Sequence, residues 1–132
     1  MNKRNNKTVW PKYYPENCPP NEARKETLEV YRLVDNSPPV KKDFLPSIIE
    51  YPNRQFPDIC LACGVSVFTD IRGTKRTKKR YKALRNKKIA KGKIFKDDGL
   101  ILETLSKYHI TWWLQTEEPH ITFTEIFDDA IT

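Results

Sequence analysis

The chain has 132 residues, a formal net charge of +7 and a composition that is 38% hydrophobic and 11% aromatic. This length leaves room for one domain and excludes a second independent core, and the apolar content is that of a folded chain. No apolar run approaches the roughly 18 residues that span a bilayer, and residues 1–7 lack the apolar segment of a secretory signal. We therefore expect a cytoplasmic protein without a membrane partner, whose cysteines Cys18, Cys60 and Cys63 are thiols or metal ligands.

The first 27 residues are polar and contain four prolines. Proline fixes φ and lacks an amide donor, so residues 1–27 are predicted to form an extended basic and aromatic arm rather than a helix or a central strand. We expect the aromatic residues Trp10, Tyr13 and Tyr14 to anchor this arm on the surface of a single domain formed by residues 28–132.

Two strands and two helices are predicted in the first half of that domain. Leu28–Val34 is rich in β-branched and aromatic residues and is followed by a turn cluster, which favours a strand. The apolar spacing within Asp43–Tyr51 predicts a helix. Ile59–Phe68 is a nearly continuous apolar run, typical of a buried strand, after which Thr69 and Asp70 can cap the second helix.

The second helix is predicted to turn an inner stripe toward the domain, formed by Thr74, Thr77, Tyr81 and Leu84. Four strand candidates follow, with a hairpin-type turn at residues 97–99 between the first two. These candidates are Lys88–Phe95, Leu100–Leu105, Tyr108–Leu114 and Ile121–Phe127. The order of elements predicts an α+β domain with a mostly antiparallel sheet of five to six strands and two helices.

The basic residues are concentrated in a cationic segment, Arg72 to Lys93, which contains 12 of the 24 Lys and Arg residues and no acidic residue. Like charges one helical turn apart repel each other by a few tenths of a kcal/mol per pair, and folding offers no compensation. Phosphates would compensate, because each phosphate that is neutralised releases condensed counterions. A solvated charged face is the alternative interpretation. The predicted contact residues are Arg72, Lys75, Arg76, Lys78, Lys79, Arg80, Lys82, Arg85, Lys87 and Lys88.

The leading hypothesis is therefore a small non-catalytic accessory protein that binds RNA or DNA through phosphates and needs no cofactor. Sequence-specific recognition is less expected, because Lys outnumbers Arg in the segment. An acidic protein would answer the same charge, in which case the chain is an interaction subunit of a bacterial or phage-type toxin–antitoxin or phage-defence assembly. The absence of P-loop, Gly-x-Ser-x-Gly and His-Glu-x-x-His motifs disfavours standard nucleotide hydrolysis and metalloprotease chemistry.

The pair Cys60 and Cys63 has the spacing of a zinc knuckle. A closed zinc site needs four ligands, so Cys18 and either His109 or His120 would have to complete it. On a regular strand the two thiols would face opposite sides, so small apolar residues of a buried strand are the favoured interpretation.

A row of three side chains shares one face of the predicted strand Tyr108–Leu114. His109, Thr111 and Trp113 would present an imidazole, a hydroxyl and an aromatic plane, a row able to bind a nucleotide by stacking on Trp113. The alternative is a core strand with one aromatic residue on each face.

The order of three predicted strands resembles the layout of the ADP-ribosyltransferase-like fold. An early strand carries Arg32, residues 64–70 form a strand that leads into a helix, and a later strand carries Glu103 or Glu125. In that family an Arg or His on the first strand, a Ser or Thr on a middle strand and a late Glu hold NAD. The resemblance implies a small NAD- or nucleotide-handling enzyme. Its site residues would be Arg32, Ser66 and Glu103 or Glu125, with His109 as a further candidate.

Overall fold

The computed structural model describes residues 9–127, which form one antiparallel sheet of six strands with helices packed against it. The strands are Leu28–Val34 (β1), Val65–Phe68 (β2), Lys88–Ile94 (β3), Gly99–Glu103 (β4), His109–Leu114 (β5) and Glu125–Phe127 (β6). Their order across the sheet is β4-β5-β2-β1-β3-β6, with every neighbouring pair antiparallel. This confirms the predicted α+β class and the mostly antiparallel sheet. Residues 1–8 of the predicted arm lie outside the described residues.

The described helices are Ser47–Glu50 (α1), Ile59–Ala62 (α2) and Ile71–Arg80 (α3), accompanied by 3-10 turns at Lys41–Phe44, Lys82–Leu84 and Lys96–Asp98. The start of α3 agrees with the sequence prediction, since the Asp70 side chain accepts a hydrogen bond from the Arg72 N–H at 2.8 Å. No helix within residues 9–127 is long and apolar enough to span a bilayer.

The helix predicted over Asp43–Tyr51 is broken into two short pieces. Leu45 and Pro46 are extended, with ψ angles of 134° and 153°, so the 3-10 turn ends before them and α1 begins after them. The cause is Pro46, whose ring disfavours a helical conformation of the preceding residue.

The strand predicted over Ile59–Phe68 is also wrong in its first half, because residues 59–62 form α2. The Asp58 side chain caps this turn by accepting a hydrogen bond from the Leu61 N–H at 3.1 Å. A short apolar run does not distinguish a buried strand from a buried helical turn, and here the preceding N-cap decides in favour of the helix.

The sheet curls strongly, as the connection from β3 to β4 shows. In a flat sheet these strands, separated by β5, β2 and β1, would lie roughly 19 Å apart. Residues 95–98 span at most about 17 Å when extended, and they contain a 3-10 turn. Arg24, shortly before β1, also exchanges backbone hydrogen bonds with Ile101 of β4, at 2.9 and 2.8 Å. The turn at residues 97–99 is therefore no hairpin; it joins two distant strands of a curled sheet.

The concave face of the sheet holds the main core. Buried aliphatic residues from β1 to β5 pack there with Trp112, Phe44 and Phe123. Side chains alternate along each strand, so Ser66, Phe68, His109, Thr111 and Trp113 lie on the opposite face, which we call the outer face.

Two different segments cover the outer face. At one end Trp113 packs in a cluster with Trp10, Tyr14 and residues of α2. At the other end α3 packs on β1 and β2. Its buried residues are Gly73, Thr74 and Lys78, whereas Tyr81 is 51% exposed and lies beyond the helix. The predicted inner stripe therefore holds for Thr74, while Tyr81 and Leu84 lie outside α3.

Cys18 and Cys60, 42 residues apart, form a disulfide. This pairing differs from the thiols expected from the sequence, and it ties residues of the predicted arm to α2. Cys63 is a free, buried thiol, and burial raises the pKa of its thiol group.

Candidate functional site

The exposed side of α3 consists of positive side chains. Arg72, Lys75, Arg76, Lys79 and Arg80 are all exposed. They recur at i, i+3, i+4, i+7 and i+8, which places them on one side of an α-helix over about 12 Å. We call these five residues the cationic face.

Acidic side chains of the same chain neutralise little of the charge of the cationic face. Arg72 makes a two-point ion pair with Asp70, at 2.9 Å and 2.8 Å, and this pair lowers the pKa of Asp70 to about 2. Within the part of the chain that the structure describes, no acidic side chain lies within ion-pair distance of the other four members. Their charge is therefore presented to the solvent.

The rest of the cationic segment divides into two groups. Lys82 and Arg85 are exposed in the turn after α3, and the Arg85 Nε donates to the Lys79 carbonyl at 3.3 Å, so they extend the cationic face. In contrast, Lys87 is ion-paired with Asp35 at 3.0 Å and Lys88 is half-buried at the start of β3.

Lys78 is the clearest departure from the predicted contact residues. It is only 6% exposed and lies on the side of α3 that packs against the sheet. The cationic segment comprises a ten-residue helix, a 3-10 turn and a strand that begins at Lys88 as predicted, so its positive side chains do not share one surface.

One cation beside this surface comes from a distant part of the chain. The Thr69 N–H donates to the Tyr108 carbonyl at 2.9 Å, which places residues 107–108 beside the start of α3. Arg72 and the exposed Lys107 then lie over the Tyr108 ring, at 5.5 Å and 5.1 Å from its centroid. Gly73 permits this approach, because a Cβ there would lie 2.9 Å from the Cβ of Tyr108. Lys107 was not identified from the sequence, since only the tertiary structure joins it to α3.

A second polar group of residues lies on the outer face. The Ser66 Oγ is 2.9 Å from His109 Nε2, and the other ring nitrogen, Nδ1, is 3.1 Å from the Thr104 carbonyl oxygen and 3.0 Å from the Thr104 Oγ1. Thr104 Oγ1 is in turn 2.7 Å from Thr111 Oγ1. Burial lowers the pKa of His109, although the Thr104 backbone opposes this shift. The imidazole is therefore neutral at neutral pH, beside an exposed serine.

Arg32 reaches this group only through the backbone. Its Nη1 donates to the Ser66 carbonyl at 2.7 Å and its Nε donates to the Asp43 carbonyl at 3.0 Å. Burial lowers the pKa of Arg32 to about 10, although nearby carboxylates oppose this shift. The guanidinium therefore stays charged at neutral pH. These contacts give Arg32 a structural role, since β1 and β2 pair at only one position, Tyr31 with Phe68.

The two glutamates of the NAD-site interpretation do not join Ser66. Both carboxylate oxygens of Glu103 bind Arg24, each at 2.7 Å, and this pair lowers the pKa of Glu103 to about 2. Glu125 lies opposite Lys91 on the edge strand β6, three strands away from β2 in the order of the sheet. The structure thus brings Ser66 and His109 together without the predicted acid.

Trp113 cannot stack on a nucleotide in this structure. It is completely buried and its Nε1 donates to the Cys60 carbonyl at 2.8 Å. The three residues of the row that was predicted to face the solvent are all buried. Ser66, on the neighbouring strand β2, is exposed.

The four predicted zinc ligands are not assembled. Cys18 and Cys60 are bonded to each other, and both ring nitrogens of His109 are engaged by Ser66 and Thr104. Among residues 9–127, no three His, Cys, Asp or Glu side chains are grouped so that they can hold a metal ion.

No protein-family model, curated protein or solved structure matches this chain.

Proposed function

We propose that the protein binds nucleic acid through its phosphates, with the cationic face of α3 as the principal contact. The observation that supports this proposal is a stripe of exposed cations of which four make no ion pair with an acidic side chain of the described residues. The binding is non-catalytic, because the contacts are ionic and involve no reacting group.

The arrangement disfavours a purely structural role for these charges. Positive side chains three and four residues apart repel each other along α3, by about 0.2–0.5 kcal/mol per pair. Phosphates relieve this repulsion and release their counterions, which supplies the free energy of binding.

The composition of this surface favours a nucleic acid over an acidic protein. Protein interfaces derive most of their affinity from buried aromatic and apolar anchors at their centre, and the cationic face contains none. Tyr81 lies at its end, 51% exposed, with the Arg80 guanidinium 5.5 Å from its ring centroid. Cations beside an exposed aromatic ring are a combination that suits single-stranded nucleic acid.

The test measures binding of fluorescent single-stranded and duplex RNA and DNA by anisotropy at several salt concentrations. If about four phosphates are neutralised, affinity should fall about 50- to 150-fold as salt rises from about 50 to about 200 mM. A variant with Lys75, Arg76, Lys79 and Arg80 changed to Gln should bind at least about tenfold more weakly and show a shallower salt dependence.

A matched variant controls for net charge. Four exposed lysines lie outside the cationic segment: Lys12, Lys25, Lys42 and Lys96. Changing these four residues to Gln removes the same charge and should leave binding nearly unchanged. Equal losses in the two variants would contradict a specific role of the cationic face, and tighter binding to polyglutamate than to any nucleic acid would instead indicate an acidic protein partner.

A further inference from the structure

The outer face carries an exposed serine, Ser66, whose hydroxyl contacts a buried histidine. An exposed Ser66 could bond to water, yet its Oγ lies 2.9 Å from Nε2 of His109, which is only 6% exposed. The imidazole is thus shielded by the protein, whereas Ser66 is an exposed residue.

The surroundings of His109 fix its tautomer. The Thr104 carbonyl oxygen, 3.1 Å from Nδ1, can only accept a hydrogen bond, so Nδ1 carries the proton. Nε2 then holds a lone pair, and the Ser66 hydroxyl donates its hydrogen to it. The Thr104 side chain, which is hydrogen-bonded to Thr111, holds the imidazole in place. The Phe68 ring does the same from an edge-on position, with its centroid 5.3 Å from that of the His109 ring.

We propose that Ser66 is a nucleophile whose general base is His109, and that it accepts acyl groups from small activated carboxylic esters. A hydroxyl, a base that accepts its proton and a third group that orients the base form the arrangement by which side chains become nucleophilic. This inference is independent of nucleic-acid binding, since none of these residues belongs to the cationic face.

The reaction balances without a cofactor. The Ser66 Oγ forms a bond to the carbonyl carbon of the ester while its proton moves to His109 Nε2. The bond from this carbon to the leaving oxygen then breaks, and the imidazolium returns the proton to the leaving alcohol. The products are an acyl-Ser66 ester and a free alcohol. Thr104 is a positioning residue, because it orients the imidazole and touches neither Ser66 nor the ester.

The test is acetylation of the folded protein by p-nitrophenyl acetate. The rate is measured from the release of p-nitrophenolate, and the acetylated residue is identified by peptide mass mapping. We expect an acetyl group on Ser66, formed about 100-fold or more faster than on the exposed Ser106, which no histidine activates. Ser66→Ala should abolish the rapid phase, whereas Ser106→Ala should retain it. Acetylation of Ser66 no faster than that of Ser106 would overturn the proposal.

The pH dependence distinguishes activation by His109 from mere accessibility. His109 is contacted by Ser66 and Phe68 from β2 and by Thr104 from the segment after β4, and no charged side chain of the described residues shifts its pKa. The rate should therefore rise as His109 loses its proton, with a midpoint below pH 6.5, and then level off. A rate that keeps rising in proportion to hydroxide would contradict the role of His109.

Two further variants separate a lost base from a lost fold. His109→Gln removes the base, and circular dichroism would show whether the variant folds. Thr104→Val keeps the carbonyl acceptor but removes the hydroxyl, so it should slow acetylation less than His109→Gln does. An unchanged rate in a folded His109→Gln variant would exclude His109 as the base.

Discussion

The two covers of the outer face differ in what they bury. At one end, Trp113 is fully buried beneath Trp10 and Tyr14, whose rings stack at 5.4 Å, and the Cys18–Cys60 disulfide fastens the same segment. At the other end, the buried residues of α3 are Gly73, Thr74 and Lys78, and none has a large apolar side chain.

This difference separates the part that stabilises the fold from the part that carries the proposed binding surface. Burial of large aromatic side chains contributes most of the free energy that holds a segment in place, whereas small and polar residues contribute little. The aromatic cover therefore stabilises the fold, and α3 leaves its exposed charges free to meet a ligand. Ser66 lies on β2, the strand that precedes α3, so both proposed sites are on the less stabilised side.

Replacing Trp113 by alanine should have the largest effect on stability. The change removes a completely buried ring and its hydrogen bond to Cys60, at a cost of about 3–5 kcal/mol in the free energy of unfolding. Urea unfolding followed by circular dichroism measures this cost. Tyr81→Ala, which removes an exposed ring at the end of α3, should change the same quantity by less than about 0.5 kcal/mol. Similar costs in the two variants would contradict the comparison.

Removing the disulfide should have the next largest effect. The bond closes a loop of 42 residues, so its absence should lower the free energy of unfolding by about 2–4 kcal/mol. The double variant Cys18→Ser, Cys60→Ser can be compared with the wild type in urea, each with and without a reductant. The reductant should destabilise the wild type alone. A wild type that is indifferent to the reductant would show that the bond does not hold this cover in place.

Local signals predicted individual elements well. The bounds of β1 agree with the sequence prediction because a β-rich run ends at a cluster of turn residues, and α3 begins where Asp70 supplies a cap. The apolar run Ile59–Phe68 failed because hydrophobicity alone does not separate a helical turn from a strand.

The arrangement of the site could not be predicted from local signals. Ser66 and His109 are 43 residues apart, and the two disulfide-bonded cysteines are 42 apart. These pairs depend on the order of the strands in the sheet, which the sequence does not specify. In the sheet β2 lies between β1 and β5, whereas along the chain it lies between β1 and β3. The clustered charge of α3 was visible in the sequence because charge density is a local property.

The cap of α3 should give a smaller, pH-dependent effect. The pKa of Asp70 is lowered to about 2 by hydrogen bonds and ion pairing with Arg72, from an ordinary value near 3.8. A carboxyl group whose pKa is lowered by folding stabilises the folded state above its unfolded pKa, and this contribution is lost as pH falls toward the folded value. The urea midpoint of the wild type should therefore fall more steeply between about pH 4 and pH 2 than that of Asp70→Asn.

Other carboxylates with lowered pKa values, such as Glu103, affect both proteins equally and cancel in this difference. Parallel pH profiles of the wild type and Asp70→Asn would show that the ion pair with Arg72 does not stabilise α3. The comparison is best made at low ionic strength, since salt screens an exposed pair.

The smallest expected change is a gain. Neutralising Lys75, Arg76, Lys79 and Arg80 to Gln removes repulsion along α3 while keeping good helix formers, so stability should rise by about 0.5–1 kcal/mol at low salt. Added salt should erase this gain, because it screens the same repulsion in the wild type. A loss of stability would mean that these side chains take part in packing. A gain accompanied by weaker nucleic-acid binding would show that the charges oppose folding and serve a ligand, which is the distinction between the two covers of the sheet.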